Sequence, residues 1–218
     1  MPPISFQDEL FRQLPVIGIL RGYPLVSIKA IVETYLRAGF HTLEITWNSP
    51  GAKDSIQSLR NDYGDHLNLG VGTILTRSEM HQAIDAGAKF VVTPIVQEAV
   101  IKECVENQIP VFPGAYTPTE VYMAWKYGAT AVKLFPAEIG GLPYLKAIKA
   151  PLSDIPLVPT GGISIENITD FLTAGVFAVG MGSQLFPRDL IVQYDWKGLE
   201  MHLIRLREAI KSWGGHDQ

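Results

Sequence analysis

A lysine stands inside an apolar run at Val132-Lys133-Leu134-Phe135, and a glutamate inside another at Leu43-Glu44-Ile45. Burial disfavours an ammonium, so a lysine held in apolar surroundings gives up its proton more readily and becomes nucleophilic near neutrality. A Schiff base with a carbonyl substrate requires that property. The bland alternative is a lysine whose stem is buried while its amine reaches solvent or a structural carboxylate. A glutamate in such a setting is costly unless hydrogen-bonded or paired. Strand alternation puts Thr42, Glu44 and Thr46 on one face, and Ala131, Lys133 and Phe135 on another. If both faces look inward, amine and acid meet in one pocket. A buried ion pair without chemistry is the competing outcome.

Two glycine-rich segments form a second constellation, Thr160-Gly161-Gly162 and Gly180-Met181-Gly182-Ser183. Backbone N–H groups left exposed there, at the starts of helices, make an anion site. Arg21 closes the first apolar run on the face of Ile17 and Ile19, where its planar fork could meet a carboxylate or could instead order Glu44. Other combinations fail. His41, His66, His81, His202 and His216 are scattered without ligand spacing, so no metal is expected. Cys104 reads as a core thiol. Tyr122, Met123 and Trp125 read as packing, as do Trp196 and Trp213.

These residues need elements to position them. Apolar β-branched runs occur at Val16–Leu20, Thr42–Trp47, Leu67–Thr73, Phe90–Pro94, Pro110–Pro113, Ala131–Phe135, Leu157–Pro159 and Ala178–Met181. Amphipathic stretches lie between them; Ser27–Ala38 carries Ile28, Ile31, Val32, Tyr35 and Leu36 on one stripe. Ser27, Thr76, Thr117 before Pro118, and Ser164 fit helix N-caps. Gly39, Gly64, Gly87, Gly128 and Gly175 fit helix C-termini. The pattern predicts a parallel (β/α)8 barrel, a TIM barrel, with an extra N-terminal helix at Ser5–Gln13 and a C-terminal helix at Trp196–Trp213. An open doubly wound sheet is the rival, and the lack of a dinucleotide fingerprint speaks against it. In a barrel the reactive groups sit at the C-terminal strand ends.

The 218 residues, 47% hydrophobic and 18% charged, fit one domain over 1–218 with a sizeable core. No stretch approaches the ~18 apolar residues of a membrane span. A formal charge of −4 gives no case for nucleic acid. A single cysteine excludes an intrachain disulfide. The start, Met1-Pro2-Pro3-Ile4-Ser5, lacks a basic and an apolar signal region, so a cytoplasmic location is expected.

Taken in order, Leu43-Glu44-Ile45-Thr46, Val71-Gly72-Thr73, Thr93-Pro94, Phe112-Pro113-Gly114, Val132-Lys133-Leu134-Phe135-Pro136-Ala137-Glu138, Pro159-Thr160-Gly161-Gly162-Ile163 and Val179-Gly180-Met181-Gly182-Ser183 resemble the bacterial KDPG/KHG aldolases. These are the 2-keto-3-deoxy-6-phosphogluconate and 4-hydroxy-2-oxoglutarate aldolases. The resemblance runs from strand one to strand eight. It implies a cofactor-free class I aldolase in which Lys133 forms the Schiff base and Glu44 shuttles protons. It further implies that Thr73 orients the keto acid, that Pro94 and Phe135 pack beside it, and that Thr160 faces the substrate hydroxyls. Gly161, Gly162, Gly182 and Ser183 would hold a phosphate, and the assembly would be a homotrimer.

One segment departs from the gluconate-type pattern. Those members resemble Leu-Glu-(Val/Ile)-Thr-Leu-Arg, the arginine binding the substrate carboxylate, whereas this chain has Asn48 at that position. Asn48-Ser49-Pro50 and Ile19-Leu20-Arg21-Gly22 resemble the galactonate branch instead, yet Thr160 replaces the valine usual there. The expected reaction is cleavage of a phosphorylated 2-keto-3-deoxy acid, gluconate or galactonate, to pyruvate and glyceraldehyde 3-phosphate. The alternatives are cleavage of 4-hydroxy-2-oxoglutarate, and a non-catalytic barrel that binds a sugar phosphate.

Overall fold

The computed structural model describes residues 6–213. Eight parallel strands run β1 Val16–Leu20, β2 Thr42–Thr46, β3 Asn68–Gly72, β4 Val91–Thr93, β5 Val111–Ala115, β6 Val132–Leu134, β7 Leu157–Pro159 and β8 Val179–Met181. Each pairs in parallel with its sequence neighbour from β1 to β7, and β8 pairs with β1. Among the described residues, the circle closes between β7 and β8 through a Thr160–Gly180 bridge and a bond from the Phe177 N–H to the Leu157 carbonyl. The parallel (β/α)8 barrel expected from the alternating pattern is therefore present, and it is nearly closed.

Every strand is followed by a helix: α2 Leu25–Arg37, α3 Ala52–Tyr63, α4 Arg77–Ala86, α5 Glu98–Glu106, α6 Pro118–Lys126, α7 Ala137–Lys149, α8 Ile168–Thr173 and α9 Arg188–Val192. The extra helices are α1 Asp8–Gln13 and α10 Trp196–Ser212. Ser5 and His216 lie outside the described residues. Thr76 and Thr117 form reciprocal caps with Glu79 and Glu120, as their spacing predicts. Gly39, Gly64, Gly87, Gly128 and Gly175 all have positive φ, the conformation that ends a helix at little cost without a β-carbon.

Several local expectations need correction. Ser27 lies inside α2, which starts at Leu25 behind the N-cap Pro24, because the proline ring fixes the entry angle three residues earlier. Ser164 opens a turn rather than α8, whose cap is Asn167. Strand β3 stops at Gly72, since Thr73 turns to φ +62° and leaves the ladder. Strand β5 continues through Gly114 and Ala115, which find partners in Lys133 and Leu134. Tyr122 and Trp125 are exposed on α6 rather than packed in the core. Cys104 is buried with its thiol 3.3 Å from the Met80 sulfur, a core thiol as expected.

Two packed layers hold this frame. The outer one fills the space between strands and helices, with Leu43, Ile45, Val71, Val91 and Leu134 pointing outward from the barrel. The inner one consists of Ile17, Phe90, Val92, Phe112, Ala131, Val158 and Ala178, joined by Phe11 of α1. Phe6 and Phe11 meet Phe90, Phe112 and Phe177 through edge and tilted ring contacts. Gln7 is hooked to Asn68 by two hydrogen bonds, its N–H donating at 2.7 Å and its carbonyl accepting at 2.9 Å. An aromatic stopper thus fills the N-terminal end of the barrel, and the polar inward positions are left to its C-terminal end.

Candidate active site

At the C-terminal strand ends lies a cleft of about 640 Å3. Its walls include Arg21, Thr73, Pro94, Lys133, Phe135, Thr160, Gly161, Gly162, Gly182 and Ser183, every site residue expected from the sequence except Glu44. Glu44 lies one layer deeper, in a narrow recess that it shares with Lys133, Thr160 and Gly180. Acid and amine therefore do face the same interior, from β2 and β6 on opposite sides of the barrel.

Lys133 Nζ stands 3.8 Å from Glu44 Oε1 and 5.4 Å from the centroid of the Phe135 ring. Glu44 is 1% exposed. Burial pushes its carboxyl above the usual carboxylate range, and the charges of Lys133 and Arg21 pull it part of the way back. A carboxyl shifted in this direction keeps its proton to higher pH than a free carboxylate, which suits a group that passes protons between intermediates. Space for the carboxylate comes from Gly72, where a β-carbon would come within 2.6 Å of it. Gly70, two residues earlier on the same face, makes room for the Phe90 ring in the layer below.

Arg21 leaves the end of β1 and reaches across the rim. Its guanidinium donates to Asn48 Oδ1 at 3.1 Å and to Thr73 Oγ1 at 3.3 Å. The Asn48 turn is fixed to β1 in turn, as the Gly22 N–H donates to Ser49 Oγ at 2.9 Å and Ser49 meets Thr46 Oγ1 at 2.7 Å. Asn48 thus holds the Arg21 guanidinium at this rim. Thr73 holds its place with a β-branched side chain in the left-handed region, a strained conformation that costs about 1–3 kcal/mol.

The opposite wall is built from glycines. Gly161 and Gly162 have φ of +101° and +70°, and Asn167 Nδ2 pins their loop by donating to the Gly162 carbonyl at 2.9 Å. Helices α8 and α9 begin several residues beyond these loops, so the expected donors at helix starts are instead loop N–H groups. Those of Gly161, Gly162, Ser183 and Gln184 have no protein acceptor among the described residues. Free N–H groups on two loops that line one cleft can form an anion-binding concavity. Thr160 is buried, and its hydroxyl donates to the Val158 carbonyl at 3.2 Å, leaving lone pairs toward the cleft. Glu138 and Gln184 also line it. Neither receives a role from the sequence, although Glu138 closes the Val132–Glu138 motif, because a polar residue beyond a strand end carries no signal of which way it turns.

Among the described residues no three His, Cys, Asp or Glu side chains are grouped to hold a metal ion. His41, His81 and His202 meet the His66 carbonyl, the Glu103 carboxylate and the Gln184 carbonyl, respectively.

Residues 7–201 match the family model for KDPG and KHG aldolase. The 2-dehydro-3-deoxy-6-phosphogalactonate aldolase of Escherichia coli strain K12 is 35% identical over 91% of this chain and 98% of its own. A 2-dehydro-3-deoxy-phosphogluconate aldolase of Pseudomonas aeruginosa is 35% identical over 96% of this chain and 94% of its own. Among solved structures, the KDPG aldolase of Legionella pneumophila superimposes with a TM-score of 0.83 at 29% identity, covering 90% of this chain and 96% of that one. That structure holds pyruvate captured at low pH as a covalent carbinolamine intermediate.

Proposed function

The chain belongs to the KDPG and KHG aldolase family, and from that premise we propose that it is a metal-independent class I aldolase. Its substrate is a 2-keto-3-deoxy acid carrying a terminal phosphate, and its products are pyruvate and glyceraldehyde 3-phosphate. The observation that carries this reading is the Lys133–Glu44 pair at 3.8 Å, on the floor of a cleft whose far wall is free backbone N–H.

In this mechanism Lys133 Nζ attacks the C2 carbonyl and forms a carbinolamine. Glu44 delivers a proton to the departing hydroxyl, water leaves, and a protonated imine remains. Loss of the C4 hydroxyl proton to Glu44 then breaks the C3–C4 bond. The bonding electrons move to C3 as an enamine, and the aldehyde departs. Glu44 returns the proton to C3, and hydrolysis frees pyruvate and the lysine. Arg21, held by Asn48 and Thr73, meets the substrate carboxylate, and Phe135 and Pro94 flank the keto acid. Gly161, Gly162, Gly182 and Ser183 take the phosphate. Remote binding of that kind positions the reacting carbons.

Equal identity to a gluconate-type and a galactonate-type enzyme supports neither epimer over the other. The free N–H wall favours a phosphate-bearing substrate over 4-hydroxy-2-oxoglutarate, which ends in a carboxylate. A barrel that only sensed a sugar phosphate would need neither a lysine nor a buried glutamate in its recess. A homotrimer in the cytoplasm completes the proposal, with exposed Leu75, Ile95 and Ile139 supplying apolar surface for the subunit contact. No helix of the described residues is long and apolar enough to cross a membrane.

Borohydride reduction in the presence of pyruvate, read by intact mass and peptide mapping, tests the central step. An adduct on Lys133 that disappears in Lys133→Met supports it. A wild-type protein without adduct under saturating pyruvate would leave the sugar-phosphate sensor ahead. Sedimentation velocity checks the trimer.

A further inference from the structure

Glu138 is an exposed carboxylate on the first turn of α7, and it lines the same cleft as Lys133 and the glycine wall. Its position is closely defined. A β-carbon on Gly161 would collide with the Glu138 carboxylate, and one on Gly162 would come 2.7 Å from Glu138 Cβ. The Ala137 N–H donates to the Thr160 carbonyl at 2.8 Å, which ties the start of α7 to the end of β7. The carboxylate itself has no hydrogen-bond or ion-pair partner among the described residues. Gly161 and Gly162, with positive φ and no side chains, are what allow it to stand there.

A substrate fixed at C2 by Lys133 and at its phosphate by the glycine wall must pass its hydroxyls across this stretch. The Thr160 hydroxyl has given its own proton to the Val158 carbonyl, so it meets a substrate hydroxyl only as an acceptor. The Glu138 carboxylate lines the same cleft, against Gly161, and is a further acceptor there. Resting on the aldolase reading above, we propose that Glu138 accepts a hydrogen bond from the substrate hydroxyl adjacent to the phosphate-bearing carbon, and so selects for a hydroxylated aldehyde. Lys133, Thr160, Glu138 and the Gly161–Gly162 loop line one cleft, with the Glu138 carboxylate against Gly161, so a substrate extended from Lys133 to that loop brings its C5 hydroxyl closer to Glu138 than its C2. A hydrogen bond to a carboxylate is stronger than one between neutral groups, so its loss should cost roughly tenfold or more in kcat/KM.

The test compares two aldehydes in condensation with pyruvate. D-glyceraldehyde 3-phosphate carries the hydroxyl in question, and 3-oxopropyl phosphate is the same chain without it. The C4 hydroxyl arises from the aldehyde oxygen in both, so the ratio of their kcat/KM values isolates the C5 hydroxyl. The wild-type ratio should exceed ~10, fall to within about threefold of unity in Glu138→Ala, and take an intermediate value in Glu138→Gln, which keeps an acceptor oxygen but no charge. A ratio unchanged in both variants would overturn the proposal. An equal gain on both aldehydes would overturn it too, identifying Glu138 as a charge barrier to phosphate. The borohydride adduct with pyruvate, measured on the wild-type protein, separates failure here from failure of the aldolase reading.

Discussion

Gly72 has no side chain where the Glu44 carboxylate stands, and a β-carbon there would come within 2.6 Å of it. Two adjacent strands thus share one volume, with β3 giving up a side chain so that β2 can keep an acid inside the barrel. Gly72→Ala should retain the fold and displace the carboxylate from Lys133. Misplacement by about 1 Å can cost on the order of 10²-fold in rate. Steady-state assay beside a far-ultraviolet circular dichroism spectrum checks this, and turnover within a factor of two of wild type would refute the steric account.

Glu44→Gln separates chemistry from stability. Turnover should fall roughly 10²–10⁴-fold, the contribution of a positioned acid–base group. The stability effect has a defined sign. Burial raises the folded-state pKa of Glu44, so the folded chain holds that proton to higher pH than the unfolded one. The associated stability is complete below the unfolded value and is lost as pH rises through the folded one. Gln cannot ionise, so the Tm of the variant should gain on wild type as pH rises above the unfolded carboxylate value of about 4. Each kcal/mol corresponds to roughly 2–4 °C in a chain of this size. A difference that shrinks as pH rises would contradict the assignment.

Thr73→Gly removes the left-handed strain and the hydroxyl together. Relief of about 1–3 kcal/mol outweighs the ~0.5–1 kcal/mol entropic cost of an added glycine, so Tm should rise by a few degrees. Loss of the contact to Arg21 at 3.3 Å should raise the KM for pyruvate. Calorimetry and condensation kinetics on one preparation test both halves, and a destabilised variant would show that Thr73 carries no strain.

Arg21→Lys tests the rim. A single ammonium cannot reproduce the fork that bonds both Asn48 and Thr73. KM for pyruvate should rise about tenfold while KM for the aldehyde changes little. A fall confined to kcat, with a shifted pH profile, would instead mean that Arg21 serves to order Glu44.

Much of this site is legible in the sequence, for a physical reason. Strand alternation fixes facing, and charged residues at interior positions of apolar runs are rare enough to point at one another; Lys133 and Glu44 do so at 3.8 Å. Glycines at helix C-termini mark the period of the fold. What stayed hidden depends on three-dimensional turns. Nothing local shows that Thr73 leaves β3 at positive φ, or that Asn48 bends back to hold Arg21. Glu138 lies on an exposed turn, where only the packing of α7 against the Gly161–Gly162 loop gives it a direction.

The sparse closure between β7 and β8 has a mechanical consequence. With one bridge and one further backbone bond spanning the gap, this seam is where the wall should breathe first, and amide exchange near Val158 and Gly180 should be faster than across β2 and β3. The two loops proposed to grip the phosphate lie on either side of that gap. A ligand spanning them would act as a clasp, slowing exchange along the seam and coupling occupancy of the cleft to the integrity of the barrel.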